Sequence, residues 1–228
     1  EARIMNKTLK TMYTACILLI LLALILVLAA LPFLPDRIPA HYDAAGVVNR
    51  WGSKFEMLIC PGLLLPYVAL CMGTCLMFRE FPSGEIGDRI IVIGCVAQFA
   101  VFDLMTAYFL YTSFRQVENL AFMPLDLNQL LCGLSGLGFI ALGNWMPKLK
   151  EPGPVGLRTP WSVKNTAVWR KCQRFGGWVM AAMGAVCVLA ALLAEGAWCW
   201  LWMAAAAAAA LAASVVYSRH AAKTTPDE

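Results

Sequence analysis

Few side chains in this 228-residue chain have chemistry to offer: two histidines, nine cysteines and one acid set among apolar neighbours, Asp103. His41 and Asp43 would supply two ligands to a metal, and no third is evident nearby. The cysteines are Cys16, Cys60, Cys71, Cys75, Cys95, Cys132, Cys172, Cys187 and Cys199. Most lie in apolar runs and none forms a C-x-x-C pair. Cys71 and Cys75 would share a helix face, but without ligand-rich neighbours. The set reads as small buried hydrophobes rather than disulfides or a metal site. The chain lacks H-E-x-x-H, G-x-S-x-G and a phosphate-cradling glycine loop, which argues against a zinc protease or other membrane-embedded hydrolase. No catalytic residue, metal or cofactor is expected.

Asp103 stands in the run AVFDLMTAYFL. A carboxylate in mid-bilayer costs roughly 3 kcal/mol or more, so it should face other helices and be neutral or paired. Thr106, three residues on, shares its face. A hydrogen bond between helices is one reading. A polar path, a coupling site or a switch is the other.

Two polar segments are left unexplained by bilayer chemistry. Residues 35–54, PDRIPAHYDAAGVVNRWGSK, follow Pro32, and the prolines stop the preceding helix. His41, Tyr42, Asp43, Asn49, Arg50, Trp51 and Lys54 would form a peptide-contact patch. They would otherwise form a loop packed on helix ends with Trp51 as an interface anchor. Residues 143–177, GNWMPKLKEPGPVGLRTPWSVKNTAVWRKCQRFGG, are basic, and their first half is rich in Pro and Gly. Thr159 followed by Pro160 predicts a helix start. Trp161, Val168, Trp169, Cys172 and Phe175 then fall on one side, with Lys164, Arg170, Lys171 and Arg174 on the other. Such an amphipathic helix suits the inner leaflet of a membrane, with or without a docked protein.

The elements that hold these segments are set by composition. The chain is 61% hydrophobic and only 14% charged, with a mean hydropathy of +0.68. A soluble domain is nearer half apolar and a quarter charged, so a soluble enzyme and a disordered chain are both excluded. A net charge of +4 is too weak to argue for direct nucleic-acid contact. Six apolar stretches, about 12–34, 57–78, 90–114, 127–143, 175–194 and 198–217, are long enough to span a bilayer as helices. The expected fold is all-α: a polytopic membrane protein of six transmembrane helices with both termini cytoplasmic. Lys and Arg set that orientation. Arg3, Lys7, Lys10, Arg79, Arg89, Lys148, Lys150, Arg158, Lys164, Arg170, Lys171, Arg174, Arg219 and Lys223 would be inside, 14 in all, against 4 outside: Arg37, Arg50, Lys54 and Arg115. Met5 reads as the natural start, with Glu1–Ile4 as added residues.

The expected divisions are a cytoplasmic N-terminus (1–11), a first helical hairpin (12–78) with an outer loop (35–56), and the third and fourth helices (79–143). A cytoplasmic loop (144–174) follows, then the last two helices and tail (175–228). Trp198, Trp200 and Trp202 would anchor the outer end of the sixth helix. Gly133, Gly136 and Gly143 give the fourth helix a smooth stripe for packing, as the run Ala204–Ala210 does for the sixth.

The inner segment resembles the signature of the SdpI family of bacterial membrane immunity proteins. That pattern runs G-N-x-M-P-K-x-K, G-I-R-T-P-W-T, then N-x-x-V-W-x-K-T-H-R-x-G-G. It is matched here by Gly143, Asn144, Met146, Pro147, Lys148 and Lys150, then Gly156, Leu157, Arg158, Thr159, Pro160, Trp161 and Ser162. Asn165, Val168, Trp169, Lys171, Cys172, Gln173, Arg174, Gly176 and Gly177 complete it. The outer loop is similar to the family's N-terminal I-P-x-H…G…W-G-S-K pattern, at Ile38, Pro39, His41, Gly46, Trp51, Gly52, Ser53 and Lys54. Cys172 and Gln173 stand where the family has Thr-His, and Glu151–Val155 departs from its Asn-aromatic stretch. The resemblance implies resistance to an extracellular peptide toxin in a bacterial plasma membrane. It also implies that a transcriptional repressor is recruited to the inner loop. The rival expectation is a secondary transporter or exporter of a toxic or amphipathic compound, with Asp103 as its coupling site.

Overall fold

The computed structural model describes residues 2–43, 45–80, 84–123, 126–153 and 155–225. It describes side chains from Lys10 onward, save those of residues 12, 13, 71, 72, 74–80, 84–89 and 92. Arg3, Lys7, Cys71, Cys75, Arg79 and Arg89 therefore lie outside the described side chains. The elements run α1 (Ala2–Ala30), β1 (Arg37–Tyr42), β2 (Val48–Ser53), α2 (Ile59–Glu80), α3 (Gly84–Phe114), α4 (Leu127–Trp145), α5 (Thr166–Leu193) and α6 (Trp198–Thr224). Short 3₁₀ turns occupy Leu31–Phe33, Lys54–Leu58, Leu120–Phe122 and Met146–Lys148. Five stretches are long and apolar enough to cross a membrane: Thr14–Phe33, Ile93–Phe114, Leu127–Lys148, Thr166–Leu193 and Trp198–Thr224. Their outward faces carry large apolar side chains such as Ile17, Leu21, Ile25, Leu189, Leu192 and Leu211. Apolar surface of that extent marks contact with hydrocarbon or with another protein. α2 occupies the expected second stretch.

The all-α expectation needs one correction. Arg37–Tyr42 and Val48–Ser53 form an antiparallel two-stranded sheet, with Arg37 opposite Ser53 and Pro39 opposite Trp51. The register shifts on either side of His41. Those irregularities, together with Pro39 and Gly52, break the period-two pattern by which a strand is read.

The chain divides into two compact units. The first holds α1, the hairpin, α2, α3 from Asp88 and the loop to Met123. One of its cores joins Cys16 and Ala23 of α1 to Leu64 of α2 and Phe99 of α3. A second joins Val27, Leu34, Ile38, Met57 and Leu110. Ile38 thus roots the hairpin among the helix ends.

The second unit holds α4, α5 and α6. Glycine decides how closely α4 and α5 approach. A Cβ on Gly143 would lie 2.6 Å from the carbonyl oxygen of Gly177, and one on Gly136 would lie 2.6 Å from that of Gly184. Gly133 meets Ala191 in ordinary contact. The expected smooth stripe of α4 therefore faces α5. Cys132, Cys187 and Cys199 pack with Ala190 beside it. At the start of α6, Trp200 Nε1 donates to Asn128 Oδ1 at 2.9 Å, while Trp198 and Trp202 are exposed. The described cysteines are free thiols, and five of them are buried.

Candidate functional site

Within the first unit, the hairpin is held from three sides. Gly52 admits the carboxylate of Glu56, which lies where its Cβ would be. Glu56 Oε1 accepts the Ser53 N–H at 3.2 Å. The Ser53 side chain in turn caps the 3₁₀ turn that leads to α2. Arg50 pairs with Glu56 at 2.9 Å and Lys54 with Asp36 at 2.9 Å. The Lys54 hydrogen bond, followed by its charge, holds the Asp36 carboxyl below its ordinary range. W-G-S-K is therefore a joint between sheet and helix, and Glu56 is the member that motif reading missed.

The tip of the hairpin clasps the loop after α3. Val48 N–H donates to Glu118 O at 2.8 Å, and Leu120 N–H donates to Gly46 O at 2.8 Å. Gly46 has φ +77, which suits glycine. Tyr42 Oη donates to Val117 O at 2.9 Å, and burial pushes its phenol above its ordinary range, against an opposing hydrogen bond to Thr112. Gln116, a non-glycine residue at φ +50, donates from Nε2 to Arg37 O at 3.0 Å and to Ser113 O at 2.9 Å. Left-handed backbone at such a residue costs of order 1 kcal/mol, which the two bonds offset. Residues 116–120 carried no sequence signal, because their partners lie some 75 positions away.

Asp43 Oδ1 accepts the N–H groups of Ala45 and Val47, both at 2.9 Å. That oxygen holds the turn at the hairpin's tip. His41 Nδ1 lies 2.6 Å from Asn49 Oδ1. Among the described residues no three His, Cys, Asp or Glu side chains gather as metal ligands. His41, Arg50 and Trp51 are exposed, and the rigid joint aims them outward.

In the second unit, the basic segment is also a fixed structure. Helix α5 starts at Thr166, with Asn165 as N-cap accepting from Val168 N–H at 2.8 Å. The predicted start at Thr159 is a single turn instead. Thr159 and Ser162 exchange backbone-to-side-chain bonds of 2.8 and 3.0 Å. Asn165 then takes an extended backbone, φ −151, and ends the turn. The amphipathic stretch is therefore the first turns of α5, not a separate surface helix. Its apolar side packs on its own unit. Val168, Cys172 and Ala221 form one cluster, and Phe175 stacks on Tyr217 at 4.0 Å.

Four bonds tie the preceding chain to α5. Trp169 Nε1 donates to Leu149 O at 3.0 Å and Arg170 Nε to Lys150 O at 3.1 Å. Gln173, fully buried, accepts Leu157 N–H at 2.9 Å and donates to Leu157 O at 3.1 Å. Gly156, at φ +119, leaves the room this clamp needs: a Cβ there would meet Gln173 Oε1 at 2.5 Å. Met146 and Trp169 are buried and Asn165 caps α5, so these three support the segment from within. Asn144, Pro147, Lys148, Arg158, Pro160, Lys164, Lys171 and Arg174 are exposed, and Thr159 and Trp161 half-buried. Glu151 is the one acid in residues 143–177.

Asp103 is buried in α3, and neither carboxyl oxygen has a hydrogen-bond partner among the described residues. The Thr106 hydroxyl donates to Phe102 O at 2.9 Å instead.

Two family models match the chain. One, described as the SdpI/YfhL protein family, covers residues 148–218. The other, a domain of unknown function (DUF1648), covers residues 18–65. The first takes in the clamp, α5 and most of α6, and the second the end of α1, the hairpin and the start of α2. No curated protein and no solved structure matches.

Proposed function

The chain belongs to the SdpI/YfhL protein family and is a multi-pass membrane protein; from that premise we propose that it is an immunity protein of a bacterial plasma membrane, giving resistance to an extracellular peptide toxin. Six spans with both termini in the cytoplasm follow from the distribution of 14 basic residues against 4. The hairpin then lies outside and the basic segment inside. The role is one of binding rather than catalysis.

The observation that carries this reading is the hairpin. His41, Arg50 and Trp51 stand exposed on a sheet rooted by Ile38 and clasped by residues 116–120. Trp and Arg are the usual anchors of a peptide interface, and a pre-ordered patch loses little entropy on binding.

The inner segment supports a second role, recruitment of a transcriptional repressor to the membrane. Its exposed cations are held on a clamped scaffold, with Lys171 Nζ also donating to Thr225 Oγ1 at 3.0 Å. An acidic protein surface fits that charge. Anionic lipid competes for it at about 1 kcal/mol per basic residue.

The test is survival of toxin-sensitive cells that express the protein. Trp51→Ala should lower survival at equal amounts of folded protein. Reversing Lys164 and Lys171 to Glu should leave survival intact and reduce co-sedimentation of the regulator with membranes. Full protection by Trp51→Ala sinks the hairpin as the toxin contact. Unchanged recruitment by the charge reversal sinks the docking role.

A further inference from the structure

One face of α3 gathers the buried side-chain oxygens that have no partner among the described residues. Phe99, Asp103, Thr106, Leu110 and Ser113 recur at helical spacing, and all five are buried. The buried side-chain oxygens without a partner among the described residues are both of Asp103 and the hydroxyl of Ser113. All three belong to this one stripe. Asp103 lies near the middle of the Ile93–Phe114 span. Ser113 lies about 15 Å further along the helix, where Gln116 takes over and bonds to the foot of the hairpin at Arg37.

The surroundings define what is missing. The cores above and below Asp103 contribute, as titratable groups, the thiols of Cys16, Cys60 and Cys95 and the phenol of Tyr67, and among the described residues no Lys, Arg or His is buried. Tyr108 is buried on α3 itself. Thr106 donates to Phe102 O and also meets the Cys60 thiol, and its oxygen keeps a lone pair beyond those contacts. Asp103 and Thr106 thus present oxygen acceptors and a single negative charge, with no buried countercharge among the described residues. Oxygen-only ligands suit hard cations. One carboxylate in a bilayer is neutralised by one positive charge.

We propose that Asp103, with the Thr106 hydroxyl beside it, binds a hard monovalent cation, a proton or Na⁺, inside the α1–α2–α3 unit. The stripe through Thr106 to Ser113 connects that site to the end of α3 beneath the hairpin.

The test uses the purified full chain in detergent, as wild type and Asp103→Asn. Thermal unfolding is followed in two arms. One replaces choline chloride by NaCl at pH 8 and constant ionic strength. The other lowers the pH from 8 to 5.5 in choline chloride. A ligand bound only by the folded state raises the midpoint, by roughly 3 °C or more at ten times its dissociation constant. A rise with Na⁺ identifies sodium, and a rise on acidification identifies the proton. Either must be absent in Asp103→Asn. Equal responses of the two proteins in both arms overturn the proposal. Should Asp103→Asn not fold, the wild type alone decides through modification by dicyclohexylcarbodiimide, which attacks protonated carboxyls in apolar surroundings. Modification mapped to Asp103 should fall as pH or Na⁺ rises. No modification, or modification indifferent to both, overturns it.

Discussion

Gln173 holds both polar groups of Leu157 with one side chain, accepting its N–H at 2.9 Å and donating to its carbonyl at 3.1 Å. The two residues are sixteen positions apart, and between them the chain makes the Thr159–Ser162 turn and enters α5. Ser162 Oγ also donates to Leu157 O at 2.8 Å, so only the Leu157 N–H depends wholly on Gln173.

Gln173→Ala should therefore destabilise the second unit by about 1–3 kcal/mol, the cost of an orphaned buried donor. Trypsin cleavage at Arg158 should quicken with it. Gln173→Glu should cost more, since it loses the donor and buries a charge. Thermal unfolding of the purified variants measures both, and a wild-type midpoint for Gln173→Ala would refute the clamp.

The approach of α4 to α5 can be tested with an internal control. A Cβ on Gly143 would press on Gly177 O and on Ala181 N at 2.8 Å, whereas one on Gly138 meets nothing within 4 Å. Gly143→Ala should cost about 1–3 kcal/mol. Gly138→Ala should be neutral or slightly stabilising. Equal midpoints for the two variants would show that the glycine contact is dispensable.

Orientation is accessible by thiol labelling. Asn49→Cys and Lys164→Cys, each in a background cleared of reactive cysteines, should differ in intact cells. An impermeant maleimide should reach position 49 and not position 164. Labelling of both to the same extent would reverse the topology argument.

The Lys54–Asp36 pair predicts a pH dependence. The Asp36 carboxyl is held below its ordinary value of 3.8 when folded. A depressed carboxyl contributes stability above its unfolded pKa and loses it as pH falls through the lower folded pKa. The midpoint gap between wild type and Asp36→Asn should thus be full at pH 5 and shrink below about pH 4. Asp36 is exposed, so the gap should be small and should shrink with added salt as well. A gap that is constant from pH 5 to pH 3 would contradict the ion pair.

Long apolar runs made the helices legible, because the bilayer's requirement for some twenty apolar residues is the strongest signal a chain can carry. The hairpin was not legible: its strands are six residues long, and its pairing slips on either side of His41. At Thr159 the sequence held a true cap signal, since Thr159 and Ser162 do bond reciprocally. Local chemistry could not show that Asn165, with a stronger claim on the following helix, would end that turn after one round. The exposed cations of the basic segment were legible by type. Gln173 was not, because its partner is a backbone peptide brought near only by the fold.

Helix α5 runs unbroken from its Asn165 cap to Leu193, 28 residues or about 42 Å at 1.5 Å per residue. Its basic first turns and its membrane-spanning length are thus one stiff rod. A rod of that length that pivots by 10° about one end carries the other through about 7 Å. With the helix unbroken between Arg170 and Leu193, a displacement of either end is passed along to the other, so whatever grips the cationic end also bears on the tilt of the span.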